Sequence, residues 1–164
     1  MPFIPADGDN FETANSYCDV AYADDYHSLR GNDAWGVATT AKKQAALIKA
    51  SDFIDQKYSG RFYGDGMTLS GLGWPRSGLS PVYADDVIPD GIKKACCELA
   101  LEALKGALSP NIAPTGTVKR KKIDVLETEY FAPTAMTTVR PAVDAYMRGF
   151  LLPSSCFNVP VVRV

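Results

Sequence analysis

The chain has 164 residues, 46% of them hydrophobic, and a formal net charge of −2. A length of this order fits one domain able to bury about 68–70% of its unfolded surface, and the apolar content supports a packed core rather than disorder. Near-neutral charge removes any global electrostatic case for nucleic-acid binding, and no apolar run approaches the ~18 residues of a membrane span.

The start, M-P-F-I-P-A-D-G-D, lacks the basic-then-apolar order of a signal peptide. The cysteines are Cys18, Cys96, Cys97 and Cys156. Cys96 and Cys97 are neighbours on a helical pattern, so their side chains diverge and a disulfide between them is not expected. With no Cys-x-x-Cys pair and one histidine, neither a zinc site nor any other cofactor is expected. The thiols read as reduced and partly buried.

Residues 1–15 are rich in Pro, Gly and Asp and predict an extended N-terminal arm. D-G-D-N at 7–10 resembles part of a calcium loop, but Phe11 stands where a further ligand is needed and no bidentate Glu follows at the right distance. A first helix is expected over 18–30, ended by Gly31 and Asn32. His27 lies near its C-terminal end, where the dipole favours a protonated imidazole, and reads as a surface or packing residue. Residues 33–37 predict a turn of helix that pins Trp35. A long helix follows over 40–58, with Thr40 as its cap and Ala46, Leu47, Ala50, Phe53, Ile54 and Tyr58 as its apolar face.

Residues 59–90 form a long glycine-rich connection with neither a Walker nor a Rossmann pattern. Within it, Trp74, Pro75 and Arg76 are the expected anchor. Trp74 folds back onto the helices and Arg76 satisfies carbonyls or a carboxylate such as Asp85 or Asp86. Arg61 is a candidate for an intersubunit ion pair.

The clearest periodicity follows. Ile92, Ala95, Cys96, Leu99, Ala103 and Ala107 form one helical stripe, with Pro89 and Asp90 suited to the helix start and Pro110 barring its continuation. Leu101 and Leu104 lie off the stripe. A helix apolar on two sides needs two partners, the second being either another part of this chain or another subunit.

Residues 117–131 read as a bent strand or hairpin. Lys119, Arg120, Lys121 and Lys122 are consecutive cations, either a solvated face or a contact for DNA or an acidic partner; no aromatic residue interleaves with them as a single-strand stacking platform would want. A last short helix is expected over 138–150 with Pro141 in its first turn. The tail 151–164 is apolar and proline-broken. Its Phe157, Val159, Val161, Val162, Arg163 and Val164 suit either pairing with another chain or docking on their own domain. No nucleophile–base pair, metal set or cleft-forming acid pair emerges, so an enzyme is not expected.

Four stretches in order carry a family resemblance: S-Y-C-D-V-A-Y-A-D-D-Y, W-G-V-A-T-T-A-K-K-Q-A-A-L-I-K-A-S-D-F-I-D, L-G-W-P-R-S-G and I-P-D-G-I-K-K-A-C-C-E-L-A. Over about residues 16–131 the chain resembles the head–tail adaptor (connector) proteins of tailed bacteriophages, including the set labelled putative DnaT-like single-stranded-DNA-binding proteins. The resemblance implies a single, mainly α domain: a small bundle of about four helices over 16–150, with the Gly-rich loop, the β element at 117–131 and extended terminal arms. It also implies a ring of copies, commonly twelve, between portal and tail or tail-completion protein, with double-stranded DNA passing through and the tail 151–164 reaching the portal. The expected place is the virion neck, after synthesis in the host cytoplasm, with no membrane partner. The alternative is a single-stranded-DNA-binding module acting through Lys119, Arg120, Lys121 and Lys122.

Overall fold

The computed structural model describes residues 2–7, 10–66, 70–79, 83–85, 87–109 and 139–152, together with the backbone of two strands at 118–122 and 127–130. The fold is mainly helical. Five helices occur in the order α1 (Val20–Ser28), α2 (Asp33–Gly36), α3 (Thr40–Tyr58), α4 (Asp90–Lys105) and α5 (Pro141–Met147). Two antiparallel strand pairs accompany them: β1 (Asp65–Gly66) with β2 (Arg76–Ser77), and β3 (Val118–Lys122) with β4 (Glu127–Tyr130). Two compact units result, Met1–Leu108 with Pro141–Val164, and Ser109–Arg140. Among the described residues no helix is long and apolar enough to cross a membrane.

The first unit is built around α4. Ile92, Ala95, Cys96, Cys97, Leu99 and Ala100 are all buried on it. The small side chains let α3 lie close, and α3 presents the buried Ala46, Leu47, Ala50, Phe53 and Ile54 expected of it. α4 has further partners within the chain: α5 packs on it with buried Val143 and Met147, α1 and α2 also touch it, and Leu101 and Leu104 pack against the core half-buried.

The helix ends differ from expectation by local chemistry. Asp19 caps α1 by accepting the Tyr22 N–H at 2.7 Å, so α1 begins at Val20 and not at residue 18. Thr39, one residue before the expected Thr40, caps α3. α4 stops at Lys105, before Gly106, well short of Pro110, and Ala107 lies outside it, exposed. α5 starts at Pro141 rather than 138, because proline's fixed φ and missing N–H suit the first helical position. A 3₁₀ turn, Arg148–Phe150, completes the expected segment.

Tyrosine hydroxyls staple these elements to carboxylates. Tyr22 donates to Asp90, Tyr26 to Glu98 at 2.6 Å and Tyr58 to Asp144. The N-terminal arm is held too: the Ala6 N–H donates to the Ser16 carbonyl and the Asn15 N–H to that of Ile4.

The 59–90 connection is pinned at several points rather than left open. Phe62 bridges to Leu151, and Gly64 turns the chain into β1 with φ +75°; a Cβ there would meet the Ser77 carbonyl at 2.5 Å. Trp74, 1% exposed and joined to Pro75 by a cis peptide, sits edge-on between Phe62 (5.8 Å) and Phe150 (5.7 Å). Asp55 of α3 reaches the loop: it accepts from the Tyr17 hydroxyl and, at 3.1 Å, from the Gly73 N–H. A Cβ on Gly73 would lie 2.8 Å from both Asp55 and Phe62, so the approach requires glycine. Burial raises the Asp55 carboxyl pKa despite these two donors.

Removing this acceptor strands two donors. Asp55→Ala should cost about 2–3 kcal/mol in urea denaturation at neutral pH. Asp55→Asn, still able to accept from Gly73 and bond Tyr17, should cost less. Equal losses in the two variants would show that the carboxylate charge, not the hydrogen bonding, fastens the loop.

Candidate nucleic-acid interface

Four consecutive cations on an extended strand are held by the hairpin of the second unit. The β3–β4 register pairs Val118 with Tyr130, Arg120 with Glu129, Lys121 with Thr128 and Lys122 with Glu127, with an irregularity between Val118 and Arg120. Arg120 and Lys122 therefore stand at register positions opposite acids. Lys121 stands opposite a neutral threonine, and Lys119 falls in the irregularity with no cross-strand counterpart. Pairing brings Tyr130 alongside the start of the basic strand, a juxtaposition that sequence spacing does not reveal.

The Trp74, Pro75 and Arg76 anchor lies in the first unit. Arg76 donates from Nε to the Tyr63 carbonyl at 2.9 Å, from Nη2 to the Gly64 carbonyl at 2.7 Å and from Nη1 to the Gly73 carbonyl at 3.3 Å. Its guanidinium is occupied by backbone carbonyls, one of the two partnerships expected, and its work is to shape the loop. Arg61 bonds the Leu152 carbonyl at 3.4 Å within its own chain. Phe157, Val159, Val161, Val162, Arg163 and Val164 lie outside the described residues.

A pocket of about 340 Å³ opens at the α1–α2 corner, with Asp24, His27, Asn32, Trp35 and Lys43 in its lining. Asp24 Oδ1 accepts from Trp35 Nε1 at 2.7 Å and Lys43 Nζ at 2.8 Å. Burial alone would raise its pKa, but these two donors hold it low. His27 is buried, not at the surface, between the Tyr26 and Trp35 rings. Its Nε2 lies 3.2 Å from the Cys97 carbonyl, which can only accept, and its Nδ1 lies 3.0 Å from the Asn32 amide nitrogen, which can only donate. One ring nitrogen is thus a donor and the other an acceptor, which is the neutral imidazole. Burial lowers its pKa and overrides the helix-end dipole that favoured a proton.

Cys18, Cys96 and Cys97 are free and buried, with the Cys18 and Cys97 sulfurs 3.8 Å apart. The Cys18 contact and then burial push the Cys96 thiol well up. The cluster is packing between the start of α1, α3 and α4.

A family model described as "Putative DnaT-like ssDNA binding protein" matches residues 1–164. No curated protein and no solved structure matches. The family match corrects the head–tail adaptor expectation: the family found is the DnaT-like one, and it supports the alternative reading. The portal, tail and ring partners, the DNA channel and the virion role were implied by the adaptor resemblance and go with it. The physical reason lies in the residues that carried the likeness. Trp74, Pro75 and Arg76 shape a loop, and I-P-D-G-I-K-K-A-C-C-E-L-A builds the central helix, so each has a part in the fold that accounts for the likeness.

The buried neutral His27 has a pH consequence. Its unfolded form takes up a proton near pH 6.5 and the native form resists, so the unfolded state binds more protons below that value. Stability should fall as pH drops through about 6.5. In His27→Gln, denaturation midpoints at pH 7.5 and pH 5.5 should lie closer together than in the unchanged chain. An unaltered pH gap would place the titration elsewhere.

Proposed function

The chain belongs to the family described as putative DnaT-like ssDNA binding proteins, and on that premise we propose that it binds single-stranded DNA, with the β3–β4 hairpin as its contact. The full-length family match is the observation that carries the reading. What supports the hairpin is its sequence and register: four consecutive cations lie on one strand, and Tyr130 is paired with Val118 at that strand's start. The net charge of −2 does not oppose this, because phosphate contacts are local and the cations are concentrated on one strand. The chain acts in this reading as a binding module rather than an enzyme.

The register ranks the cations. Lys119 and Lys121, with no acid opposite, carry more of the phosphate contact than Arg120 and Lys122.

Fluorescence anisotropy with a labelled oligo-dT tests this across a salt series. If four cations meet phosphates, the logarithm of affinity should fall against log salt with slope ~−3, about 50-fold between 50 and 200 mM. Lys119→Ala with Lys121→Ala should weaken binding more than Arg120→Ala with Lys122→Ala, and replacing all four should remove most of the salt dependence. Undiminished binding in the fourfold variant would exclude the hairpin as the contact. No binding by the unchanged chain at 50 mM salt would overturn the function itself.

A further inference from the structure

A second aromatic–cation arrangement lies in the first unit, where side chains are described. Residues 61–63 run antiparallel to 150–152: the Tyr63 N–H donates to the Phe150 carbonyl at 2.9 Å and the Leu152 N–H to the Arg61 carbonyl at 2.7 Å, with Phe62 bridged to Leu151. Side chains alternate across such a ladder. Phe62 points inward, 4% exposed and against Trp74. Tyr63 accordingly points outward, 51% exposed, and Arg61, which ends a 3₁₀ turn over Ser59–Arg61, is exposed as well.

Tyr63 has no structural employment that accounts for its position. It is the aromatic among the exposed large hydrophobic residues described. Among the described residues its hydroxyl makes no hydrogen bond and its ring stacks on no other ring. Its backbone, by contrast, is fixed three ways: by the Phe150 bond, by Arg76 Nε on its carbonyl and by the obligatory glycine at position 64. A ring held on a rigid backbone with its face open loses little entropy when something stacks on it.

The surrounding charges suit a nucleic acid. Arg61 gives only a 3.4 Å contact to the Leu152 carbonyl, and exposed Arg148 stands two residues before Phe150, the ladder partner of Tyr63. Among the described residues, Asp65 on β1 is exposed two positions after Tyr63, and Asp144 of α5 already accepts from Lys57 and Tyr58. Leu152, 45% exposed, adds apolar surface beside Arg61.

We propose that Tyr63 is a stacking seat for one base of single-stranded DNA, with Arg61 and Arg148 meeting the adjoining phosphates, a contact separate from the hairpin. This rests on the single-stranded-DNA reading. Stacking and ion pairing leave different signatures. A stacked base contributes in proportion to ring contact and is indifferent to salt, whereas each phosphate contact adds about 0.7 to the salt slope.

Oligo-dT binding should be measured for Tyr63→Ala, Tyr63→Phe, and Arg61→Ala with Arg148→Ala, beside the fourfold hairpin variant. Tyr63→Ala should weaken binding by about 5- to 150-fold at every salt concentration, leaving the slope unchanged. Tyr63→Phe should bind like the unchanged chain, and the double arginine variant should flatten the slope by about 1.4. Denaturation midpoints of all four should match the unchanged chain, since the substituted groups are exposed or on the other unit. Tyr63→Ala binding within twofold of the unchanged chain, while the hairpin variant fails, would overturn the seat and leave the function standing. Equal losses in Tyr63→Phe and Tyr63→Ala would overturn stacking. No binding by the unchanged chain would overturn both.

Discussion

The close approach of α3 and α4 is the constraint on which the first unit depends. It is made by small side chains, Ala46 and Ala50 on one helix and Ala95, Cys96 and Ala100 on the other, all buried. Larger residues would push the helices apart and overpack a core that has no room to yield. With that distance set, Asp55 on the far part of α3 reaches Gly73, and α5 packs on α4. The aromatic group of Phe62, Trp74 and Phe150 then fills the space under the loop, and the 61–63 and 150–152 segments are laid side by side. The outward placement of Tyr63 is therefore a consequence of core packing several residues away.

Tyrosine–carboxylate bonds give this packing its direction. Hydrophobic burial is indifferent to modest rotations of a helix, whereas a hydroxyl meeting a carboxylate within bonding distance is not. Tyr22 and Tyr26, four apart on α1, meet Asp90 and Glu98, eight apart on α4, which fixes how α1 lies on that helix. Buried, neutral His27 adds a third tie by bonding the Cys97 carbonyl of α4. Such residues look like candidate chemistry in a sequence, yet here they orient helices.

What the sequence revealed follows the same division. Periodic elements were legible, because the α3 and α4 stripes reflect one buried face each; the turn at Trp35 and the hairpin near 117–131 were legible from pattern and length. The bounds of α3 were legible, while the starts of α1 and α5 and the end of α4 were off by two or three residues, because caps depend on which side chain wins a local N–H, as with Asp19. Long-range pairing was not legible. Nothing local in Tyr17 or Asp55 announces that they meet across 38 positions, and nothing in Tyr63 announces that Phe150 holds its backbone. The family likeness misled on function for a related reason: its most specific residues serve the loop anchor and the core helix, which different activities can share.

Single-stranded DNA is proposed to be held at the basic hairpin. Amide chemical-shift mapping of the isotope-labelled chain during titration with oligo-dT tests it most directly, because it locates contact without altering a residue. Saturable shifts are expected centred on 118–122 and 127–130, with a second group at 61–63, and little change at the buried α3–α4 contact. Shifts absent at equimolar DNA, or confined to surfaces away from the hairpin, would contradict it.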